Sequence, residues 1–373
     1  MRREKRAMRT FLFALLSLFL CTTFTAAAAA TKPEKTMRQY RLEKADKGFK
    51  LVQKQAEVPK PGANEVLVHV RATSLNRRDL YVLAGQYGPG DFTGRIPLSD
   101  GAGEIAATGA QVSRVKVGDR VAAIFYPRWL SGKPDPASVA GSLGGVIDGM
   151  LSEYVVLDEN SVVRVPEYLS FEEAATLPCA GVTAWNGLFT RGNLQPGDYV
   201  LLEGTGGVSI FGLQLAAAAG AKPIITSSHD EKLEHAKKLG AWQTINYKTN
   251  ADWDKEVLRL TEGHGADLVL EVGGEQTIPK ALASTALGGH IALIGGLSGW
   301  NGTLPAGLLA MRSVRASGIY VGSRADFEAL NAFLAEHPIK PVIDKEFKFD
   351  EAPAAYAYMD SSTLFGKVVI RMP

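Results

Sequence analysis

Cysteine is scarce in this chain of 373 residues, since Cys21 and Cys179 are the only two. Two cysteines exclude a disulfide-stapled fold, and a single thiol after residue 30 excludes an internal disulfide in a processed chain. Neither sign of charge dominates, because 41 basic residues face 39 acidic ones. We therefore expect no nucleic-acid or anionic-surface partner. The six histidines are scattered without the spacing of metal ligands.

Long apolar runs are also rare, and the clearest one lies at the amino terminus. Five basic residues precede the apolar run Phe11–Phe24, and the small residues Ala26–Ala30 follow it. This order is typical of a signal peptide over residues 1–30, and the run is too short to suit a membrane-spanning helix. We expect an exported protein, periplasmic or secreted, with residues 31–36 as a polar linker. The alternative is translation from Met37, which would leave the protein in the cytoplasm.

The rest of the chain is long enough for two domains and, at 46% hydrophobic residues overall, apolar enough for a large core. Short strands between glycine turns, such as Glu65–Ala72, predict a β-barrel-like first domain over 37–165. From Ser170 onward strands alternate with helices, which predicts a Rossmann domain with a doubly wound parallel sheet over 166–309. Residues 310–373 leave that pattern and are expected to complete the first domain, giving an α/β fold overall. The Pro-, Gly- and Ser-rich stretch 125–149 is predicted to be a long loop over the site.

A glycine-rich turn organises the second domain. The run Tyr199–Glu203 is predicted to be a strand and Val208–Ala219 a helix, with Gly204-Thr205-Gly206-Gly207 between them. This order is typical of a nucleotide site, because the N–H groups at a helix start bind pyrophosphate and glycines let the ligand approach. The cofactor-binding candidates here are Gly204, Thr205, Gly206, Gly207 and Val208, with Gly273 and Gly295 at the ends of two later strands.

The end of the next strand indicates which coenzyme is bound. An acidic residue there would hold the ribose hydroxyls of NAD, but the chain has Thr226, Ser227 and Ser228. Lys232 follows closely enough to meet a 2′-phosphate, so we expect NADPH, with NADH as the alternative. A competing interpretation is that Ser228 and Glu231 form a capping box and that Lys232 is a solvated helix residue.

The order of motifs resembles that of the medium-chain dehydrogenase/reductase superfamily. The segments that carry the resemblance are ANEVLVHVRATSLNRRDLY at 63–81, PLSDGAGEI at 97–105, VGDRV at 117–121, LPCAGVTAW at 177–185, GTGGVS at 204–209 and FGKVVI at 365–370. The resemblance implies a GroES-like catalytic domain beside the Rossmann domain and an NAD(P)-dependent oxidoreductase activity. It also implies a homodimer formed through the edge of the Rossmann sheet, and it places Thr183 among the cofactor-binding residues.

Members of this superfamily that use catalytic zinc bind it through a Cys before the position of Asn76, a His in a Gly-His-Glu motif, and a third Cys or Asp. This chain has Ser74-Leu75-Asn76 and Ser99-Asp100-Gly101 at the first two places. Cys179 stands at the third, and one thiolate cannot hold Zn²⁺, which needs three protein ligands. The four-cysteine structural zinc loop is missing too, since 125–150 contains no cysteine. We therefore expect a zinc-independent member without a metal site.

The nearer resemblance is to quinone oxidoreductases and their enoyl-reducing relatives. The segment NRRDLY at 76–81 is similar to the Asn-x-x-Asp-x-Tyr segment that these enzymes place beside the nicotinamide. Lys232 and Tyr247 match positions that they use on the 2′-phosphate. The resulting catalytic candidates are Asn76, Arg78, Asp79 and Tyr81. The alternative is structural, with Asn76 and Asp79 capping a turn or helix and Tyr81 packed in the domain interface.

Hydride transfer from a nicotinamide builds negative charge on an oxygen of the acceptor. Without a metal the site needs hydrogen-bond donors and a proton source, the roles expected of Tyr81, Asn76 and Arg78, with Asp79 orienting one of them. Acceptors that need no Lewis acid are quinones, enones and other activated alkenes or carbonyls. We therefore expect an NADPH-dependent reductase of a small molecule. The alternatives are an alcohol dehydrogenase-like carbonyl reductase and a nucleotide-binding protein without turnover.

Overall fold

The computed structural model describes residues 35–88, 90–361 and 363–373. The predicted signal peptide and most of the predicted linker lie outside these residues. Thr36, which the sequence analysis assigned to the linker, opens the first strand. Among the described residues, no helix has both the length and the apolar character needed to cross a bilayer.

The described chain folds into a hairpin and two larger sheets with helices around them. The strands are β1 Thr36–Lys44, β2 Phe49–Glu57, β3 Glu65–Leu75, β4 Asp100–Thr108, β5 Arg120–Ala123, β6 Tyr154–Asp158, β7 Val162–Arg164, β8 Tyr199–Leu202, β9 Lys222–Ser227, β10 Gln243–Asn246, β11 Ala266–Glu271, β12 Thr285–Leu293, β13 Arg315–Gly318, β14 Ile343–Lys348 and β15 Lys367–Arg371. The α-helices are α1 Arg77–Leu83, α2 Phe171–Ala174, α3 Val182–Trp185, α4 Gly207–Ala218, α5 Asp230–Lys238, α6 Trp253–Leu260, α7 Ile278–Ser284, α8 Ala306–Met311, α9 Arg324–Glu336 and α10 Ala352–Met359.

The amino-terminal sheet has seven strands, two of which come from the end of the chain. Its strands run in the order β14-β15-β3-β4-β5-β7, and β6 pairs with β3 beside β15. Only β14 and β15 pair in parallel among its described pairs. The central strand β3 is buried along most of its length, as its run of valine, leucine and alanine predicts. This sheet confirms the predicted GroES-like domain.

The second sheet is parallel and doubly wound, as predicted. Its strands run in the order β10-β9-β8-β11-β12-β13, and every pair is parallel. The direction of winding reverses between β8 and β11, which is where such folds bind nucleotides. The sheet extends to Gly318, past the boundary predicted at residue 309. The chain does not leave the α/β pattern at residue 310 as predicted, because α8 and β13 add one more helix and strand.

The last strand brings the two sheets into contact. Val368–Arg371 of β15 pairs with β3, while the preceding Gly366 forms a bridge with Gly206. The backbone N–H of Gly366 donates to the carbonyl of Thr205 at 3.0 Å. The φ of Gly366 is +89°, in the region that favours glycine. The glycine turn of one sheet therefore touches the strand that completes the other.

The stretch 125–149 is a loop, as predicted, with an isolated bridge between Leu143 and Ile147 as its one piece of pairing. It is anchored by three buried aromatic side chains, Phe125, Tyr126 and Trp129. Cys179 packs against this aromatic cluster. The loop is therefore held by apolar burial against Cys179 and Val321, with little secondary structure of its own.

Candidate active site

Four strands of the parallel sheet end side by side around the switch point. Gly204 lies just after β8, Ser228 after β9, Gly273 after β11 and Gly295 after β12. Because the carboxyl ends of parallel strands meet at one edge of a sheet, the fold gathers the predicted cofactor-binding residues of all four strands. We call this edge the nucleotide edge.

The glycine turn is open toward the nucleotide edge. The φ of Gly204 is +71°, and a Cβ at Gly204 or Gly206 would meet no described atom within 4 Å. Among the described residues no side chain caps the start of α4, so its first N–H groups can bind an anion. Thr205 is buried in the turn, and Val208 is half-buried in the first turn of α4. This arrangement fits the pyrophosphate of a dinucleotide.

The residues predicted to meet the 2′-phosphate lie together at the ends of β9 and β10. The N–H of Tyr247 donates to the carbonyl of Ser227 at 3.1 Å. Lys232 lies half-buried in the first turn of α5. Burial lowers the pKa of Lys232, and the nearby carboxylate of Asp344 opposes that shift. The structure therefore brings these predicted residues together, and their role in binding stays a prediction.

The alternative capping box of Ser228 and Glu231 is wrong. The N-cap residue of α5 is His229, so the helix begins one residue later than that box requires. The hydroxyl of Ser228 lies 2.7 Å from Nδ1 of His229. The Ser228 side chain therefore contacts the ring of the next residue instead of capping the helix.

The turns after β11 and β12 are tied to each other. The N–H of Gly295 donates to the carbonyl of Glu271 at 3.2 Å. The N–H of Ser298 donates to the carbonyl of Gly273 at 2.7 Å. Thr183 lies in α3, which packs against α4, and its side chain is buried. Gly273 and Gly295 are thus at the nucleotide edge, and Thr183 lies on a helix that packs against α4.

The catalytic candidates occupy the start of α1, directly after β3. Asn76 is the N-cap residue, and the Oδ2 atom of Asp79 accepts from its backbone N–H at 2.7 Å. This confirms the structural interpretation of Asp79 as a cap. The side chain of Asn76 points elsewhere, because its Oδ1 atom accepts from Nζ of Lys367 at 2.5 Å. Capping by Asp79 therefore leaves Asn76 available for another role.

Arg78 is fixed by structural partners. Its Nη1 atom lies 3.2 Å from Oδ1 of Asp79 and donates to the carbonyl of Leu143 at 2.8 Å. Its guanidinium lies 4.3 Å from the ring centre of Tyr87 and 5.1 Å from that of Phe125. Burial raises the pKa of Asp79 to about 6, although Arg78 opposes the shift. Arg78 therefore anchors the loop 125–149 to α1.

Tyr81 is the least buried of the four catalytic candidates. It lies one turn farther along α1 and is half-buried, whereas Asn76, Arg78 and Asp79 are all buried. The guanidinium carbon of Arg77 is 6.0 Å from its ring centre. Tyr81 is therefore the candidate that could contact a substrate directly. The other three candidates are buried at the start of the helix that carries it.

Two charged residues at this site were missed by the sequence analysis. Lys367 is only 3% exposed, donates to the carbonyl of Leu75 at 2.7 Å, and has its Nζ atom 3.5 Å from Oδ2 of Asp100. Asp100 is buried and accepts from the hydroxyl of Ser99 at 2.8 Å. Burial raises the pKa of Asp100, and Lys367 opposes the shift. The sequence signal that could have pointed to Lys367 is its position directly before the apolar run of β15.

The residues at this place do not fit a zinc ion. The possible donors are the carboxylate of Asp100, the thiol of Cys179 and the amide of Asn76, and the ammonium of Lys367 already lies against the first and the third. Burial raises the pKa of Cys179, which disfavours the thiolate that zinc requires. Within the described ranges no group of three or more His, Cys, Asp or Glu side chains could hold a metal.

Two family models match the regions of the two sheets. Residues 62–167 match the alcohol dehydrogenase GroES-like domain, and residues 207–336 match the zinc-binding dehydrogenase family. The second match runs beyond residue 309, in agreement with a parallel sheet that includes β13.

Proteins similar to this chain are named as oxidoreductases. A zinc-type alcohol dehydrogenase-like protein of Schizosaccharomyces pombe is 45% identical over 85% of this chain and 93% of its own length. A quinone oxidoreductase of Pseudomonas aeruginosa is 33% identical over 83% of this chain and 92% of its own. The solved structure of a candidate alcohol dehydrogenase from Sinorhizobium meliloti aligns with a TM-score of 0.86 and 41% identity, over 91% of this chain and 100% of that one. The chain therefore belongs to the medium-chain dehydrogenase/reductase superfamily and is an NAD(P)-dependent oxidoreductase.

Proposed function

We propose that this oxidoreductase is a zinc-independent reductase that prefers NADPH and transfers hydride to a quinone, an enone or another activated carbonyl or alkene. The observation that carries the proposal is the buried ammonium of Lys367, 2.5 Å from Oδ1 of Asn76 and 3.5 Å from Oδ2 of Asp100. A fixed positive charge stabilises negative charge that develops nearby, above all where water is excluded. Lys367 thus supplies positive potential where other members of the superfamily place a metal.

Each residue of the site has a role in this reaction. A bound nicotinamide supplies the hydride. The glycine turn and the start of α4 bind the phosphates, and Lys367 holds the amide of Asn76 in one orientation. Tyr81, which keeps exposed ring surface, donates a hydrogen bond or a proton to the acceptor as charge builds there. Asp79 and Arg78 position the helix that carries Tyr81.

The purified full-length chain is expected to oxidise NADPH in the presence of quinones or enones, and to do so equally well with a chelator present. NADPH should bind more tightly than NADH, because β9 ends at Ser227 and Ser228 follows it, with no acidic residue at either position, and Lys232 lies in the first turn of α5. Absorbance at the nicotinamide band measures turnover, and fluorescence titration measures both affinities.

Three results would contradict parts of this proposal. Loss of turnover on chelation would show that a metal takes part. Reduction of simple carbonyl compounds in preference to quinones and enones would favour an alcohol dehydrogenase-like carbonyl reductase. Tight coenzyme binding without turnover on any acceptor would identify a nucleotide-binding protein instead of an enzyme.

The variant Lys232→Gln is expected to weaken NADPH binding by about 10- to 100-fold, since a charge-assisted hydrogen bond is worth roughly 1.5–3 kcal/mol. Binding of NADH should not change, because NADH has no 2′-phosphate. The matched control is Lys238→Gln, which removes the same charge from an exposed position on the same helix. Equal loss of affinity for both coenzymes in Lys232→Gln would place the 2′-phosphate elsewhere.

We also propose a homodimer formed through the edge strand β13. This strand ends the parallel sheet, and exposed apolar side chains surround it, including Met311 at 81% and Leu287 at 76% exposure. Such a surface on a sheet edge is suited to pairing with a second copy. Light scattering of the purified chain tests this, and a monomer mass at micromolar concentration would reject it.

We further propose that residues 1–30 direct export, on the basis of the basic, apolar and small-residue segments described above. Translation from Met37 is the competing outcome. Mass determination of the amino terminus of the protein made by its own cells separates the two, because a cleaved signal peptide leaves a new terminus near residue 31.

A further inference from the structure

Two glutamates stand side by side at the switch point of the Rossmann sheet. Glu203 directly follows β8, and Glu271 is the last residue of β11. The two strands pair with Leu202 opposite Leu270, so the next residues of each strand are neighbours across the sheet. Glu203 is 5% exposed and Glu271 is 0% exposed. Neither residue has a role in the reaction described above.

One oxygen of each glutamate holds the turn that follows β11. Oε2 of Glu203 accepts from the N–H groups of Val272 at 3.3 Å and Gly273 at 3.2 Å. Oε1 of Glu271 accepts from the N–H groups of Gly273 at 3.1 Å and Gly274 at 2.9 Å. The two carboxyl groups therefore converge on the same turn, which lies at the nucleotide edge.

The second carboxyl oxygen of each glutamate has no hydrogen-bond partner among the described residues. These two atoms, Oε1 of Glu203 and Oε2 of Glu271, are both buried. Two adjacent buried carboxylates cannot both remain ionised without a cation, because desolvation and mutual repulsion both penalise the second charge. Burial and the neighbouring Glu271 raise the pKa of Glu203 well above its ordinary value.

None of the described hydrogen bonds to the two carboxyl groups comes from a cationic side chain. Their donors are backbone N–H groups and the hydroxyl of Thr277 before α7, while the hydroxyl of Ser209 in α4 donates to the backbone carbonyl of Glu203. Glu275, the next acidic residue along the chain, is directed to the backbone N–H of Asn301 at 3.2 Å. The nearby charge that acts most strongly on Glu203 is the carboxylate of Glu271.

We propose that Glu203 and Glu271 share one proton between their unpartnered oxygens, and that this proton locks the Gly273–Gly274 turn at the nucleotide edge. The carboxyl group of one glutamate donates to the carboxylate of the other, and the remaining oxygens accept from the N–H groups of the turn. Loss of the proton leaves two adjacent charges, which repel each other and release the turn. The inference rests on the proposed nucleotide site and extends it, because coenzyme binding should weaken as pH rises.

The direction of the pH effect follows from the raised pKa of Glu203. A carboxyl group whose pKa is raised by folding stabilises the native state at low pH, and that contribution is lost as the pH rises through the raised pKa. Glutamine at position 203 imitates the protonated glutamate, since its amide N–H donates to Glu271 at every pH. The variant Glu203→Gln should therefore keep the turn in place and lose the pH dependence.

The test compares the full chain with Glu203→Gln from about pH 6 to about pH 10, the range in which buried carboxyl groups lose their protons. Hydrogen exchange at the amides of Gly273 and Gly274 reports on the turn without coenzyme, and fluorescence titration gives the dissociation constant for NADPH. At the alkaline end we expect the amide exchange rate and the dissociation constant for NADPH each to be about tenfold higher in the full chain than in Glu203→Gln. This is the effect expected from the loss of one buried hydrogen bond.

A second variant, Glu271→Gln, covers the case in which Glu203→Gln does not fold, because its amide can donate to Glu203 in the opposite direction. It should also flatten both pH profiles. Exchange profiles at Gly273 and Gly274 that coincide in the full chain and the glutamine variants would overturn the shared proton. If the exchange profiles differ as expected but the chain binds no nicotinamide nucleotide at any pH, the two ideas separate. The shared proton would then be supported, and the proposed function would be rejected.

Discussion

Replacing Gly206 by alanine is expected to weaken NADPH binding about 100-fold, the loss of one or two charge-assisted hydrogen bonds worth roughly 1.5–3 kcal/mol each. The backbone at Gly206 has φ −78° and ψ −179°, which any residue adopts, and a Cβ would meet no described atom within 4 Å. The fold should therefore tolerate the change. The added methyl group stands on the open side of the turn, where the pyrophosphate has to approach the backbone.

Fluorescence titration measures the affinity for NADPH, and thermal unfolding measures the stability of the fold. The matched control is Gly307→Ala in α8, where a Cβ also meets no described atom within 4 Å and no nucleotide is expected. Both variants should unfold near the wild-type temperature, and only Gly206→Ala should lose affinity. Normal NADPH affinity in a folded Gly206→Ala chain would show that the pyrophosphate does not cross this part of the turn.

Replacing Arg78 by methionine is expected to lower the free energy of unfolding by about 3–5 kcal/mol near neutral pH, the usual cost of removing one partner of a buried ion pair. Asp79 is 1% exposed and would lose the guanidinium at 3.2 Å, leaving an uncompensated buried charge. The loop 125–149 would also lose the hydrogen bond from Arg78 to the carbonyl of Leu143. Urea unfolding of both proteins measures the difference.

The cost of Arg78→Met should shrink as the pH falls. Burial raises the pKa of Asp79 to about 6 in the folded chain, above its ordinary value of 3.8, so protonation of Asp79 stabilises the native state at low pH. That contribution is lost as the pH rises through the folded pKa. A protonated Asp79 needs no cationic partner, and the variant should therefore lie closest to the wild type well below about pH 6. A pH-independent difference would assign the loss to packing instead of charge.

Two further variants separate the buried pair from general effects. Arg77→Met removes a neighbouring guanidinium that is 45% exposed, and it should change stability by less than about 1 kcal/mol. The double variant Arg78→Met with Asp79→Asn removes both charges and should recover much of the lost stability, because neither buried charge is left unpaired. A double variant no more stable than Arg78→Met alone would contradict the argument from charge.

Much of the nucleotide edge could be predicted because its signals are local. The strand, glycine turn and helix from Tyr199 onward appear in the structure nearly as predicted, since apolar runs and glycines directly shape a few neighbouring residues. Ser170, from which strands were predicted to alternate with helices, opens α2 through a capping box with Glu173, which is again a signal between near neighbours. Asn76 and Asp79 were correctly paired at a helix start, because their spacing of three residues is itself the signal.

Other features depended on partners far along the chain. Strand β13 reads RASG, which has little apolar character, and it is a strand because it pairs with β12. Lys367 was missed because its partner Asn76 lies 291 residues earlier in the chain. Such outcomes are decided by tertiary contacts, which override weak local preferences.

The superfamily, the order of the two domains, the glycine turn and the place of helix α1 could all be predicted from the amino-acid sequence, since each depends on a short contiguous motif. The contacts of Lys367 with Asn76 and Asp100, and the position of Glu203 beside Glu271, could be found only in the folded chain. In each case the partners are separated by tens or hundreds of residues in the chain and meet through strand pairing. The electrostatic effects of burying these charged side chains beside one another arise only when the chain folds, and no local sequence pattern predicts them.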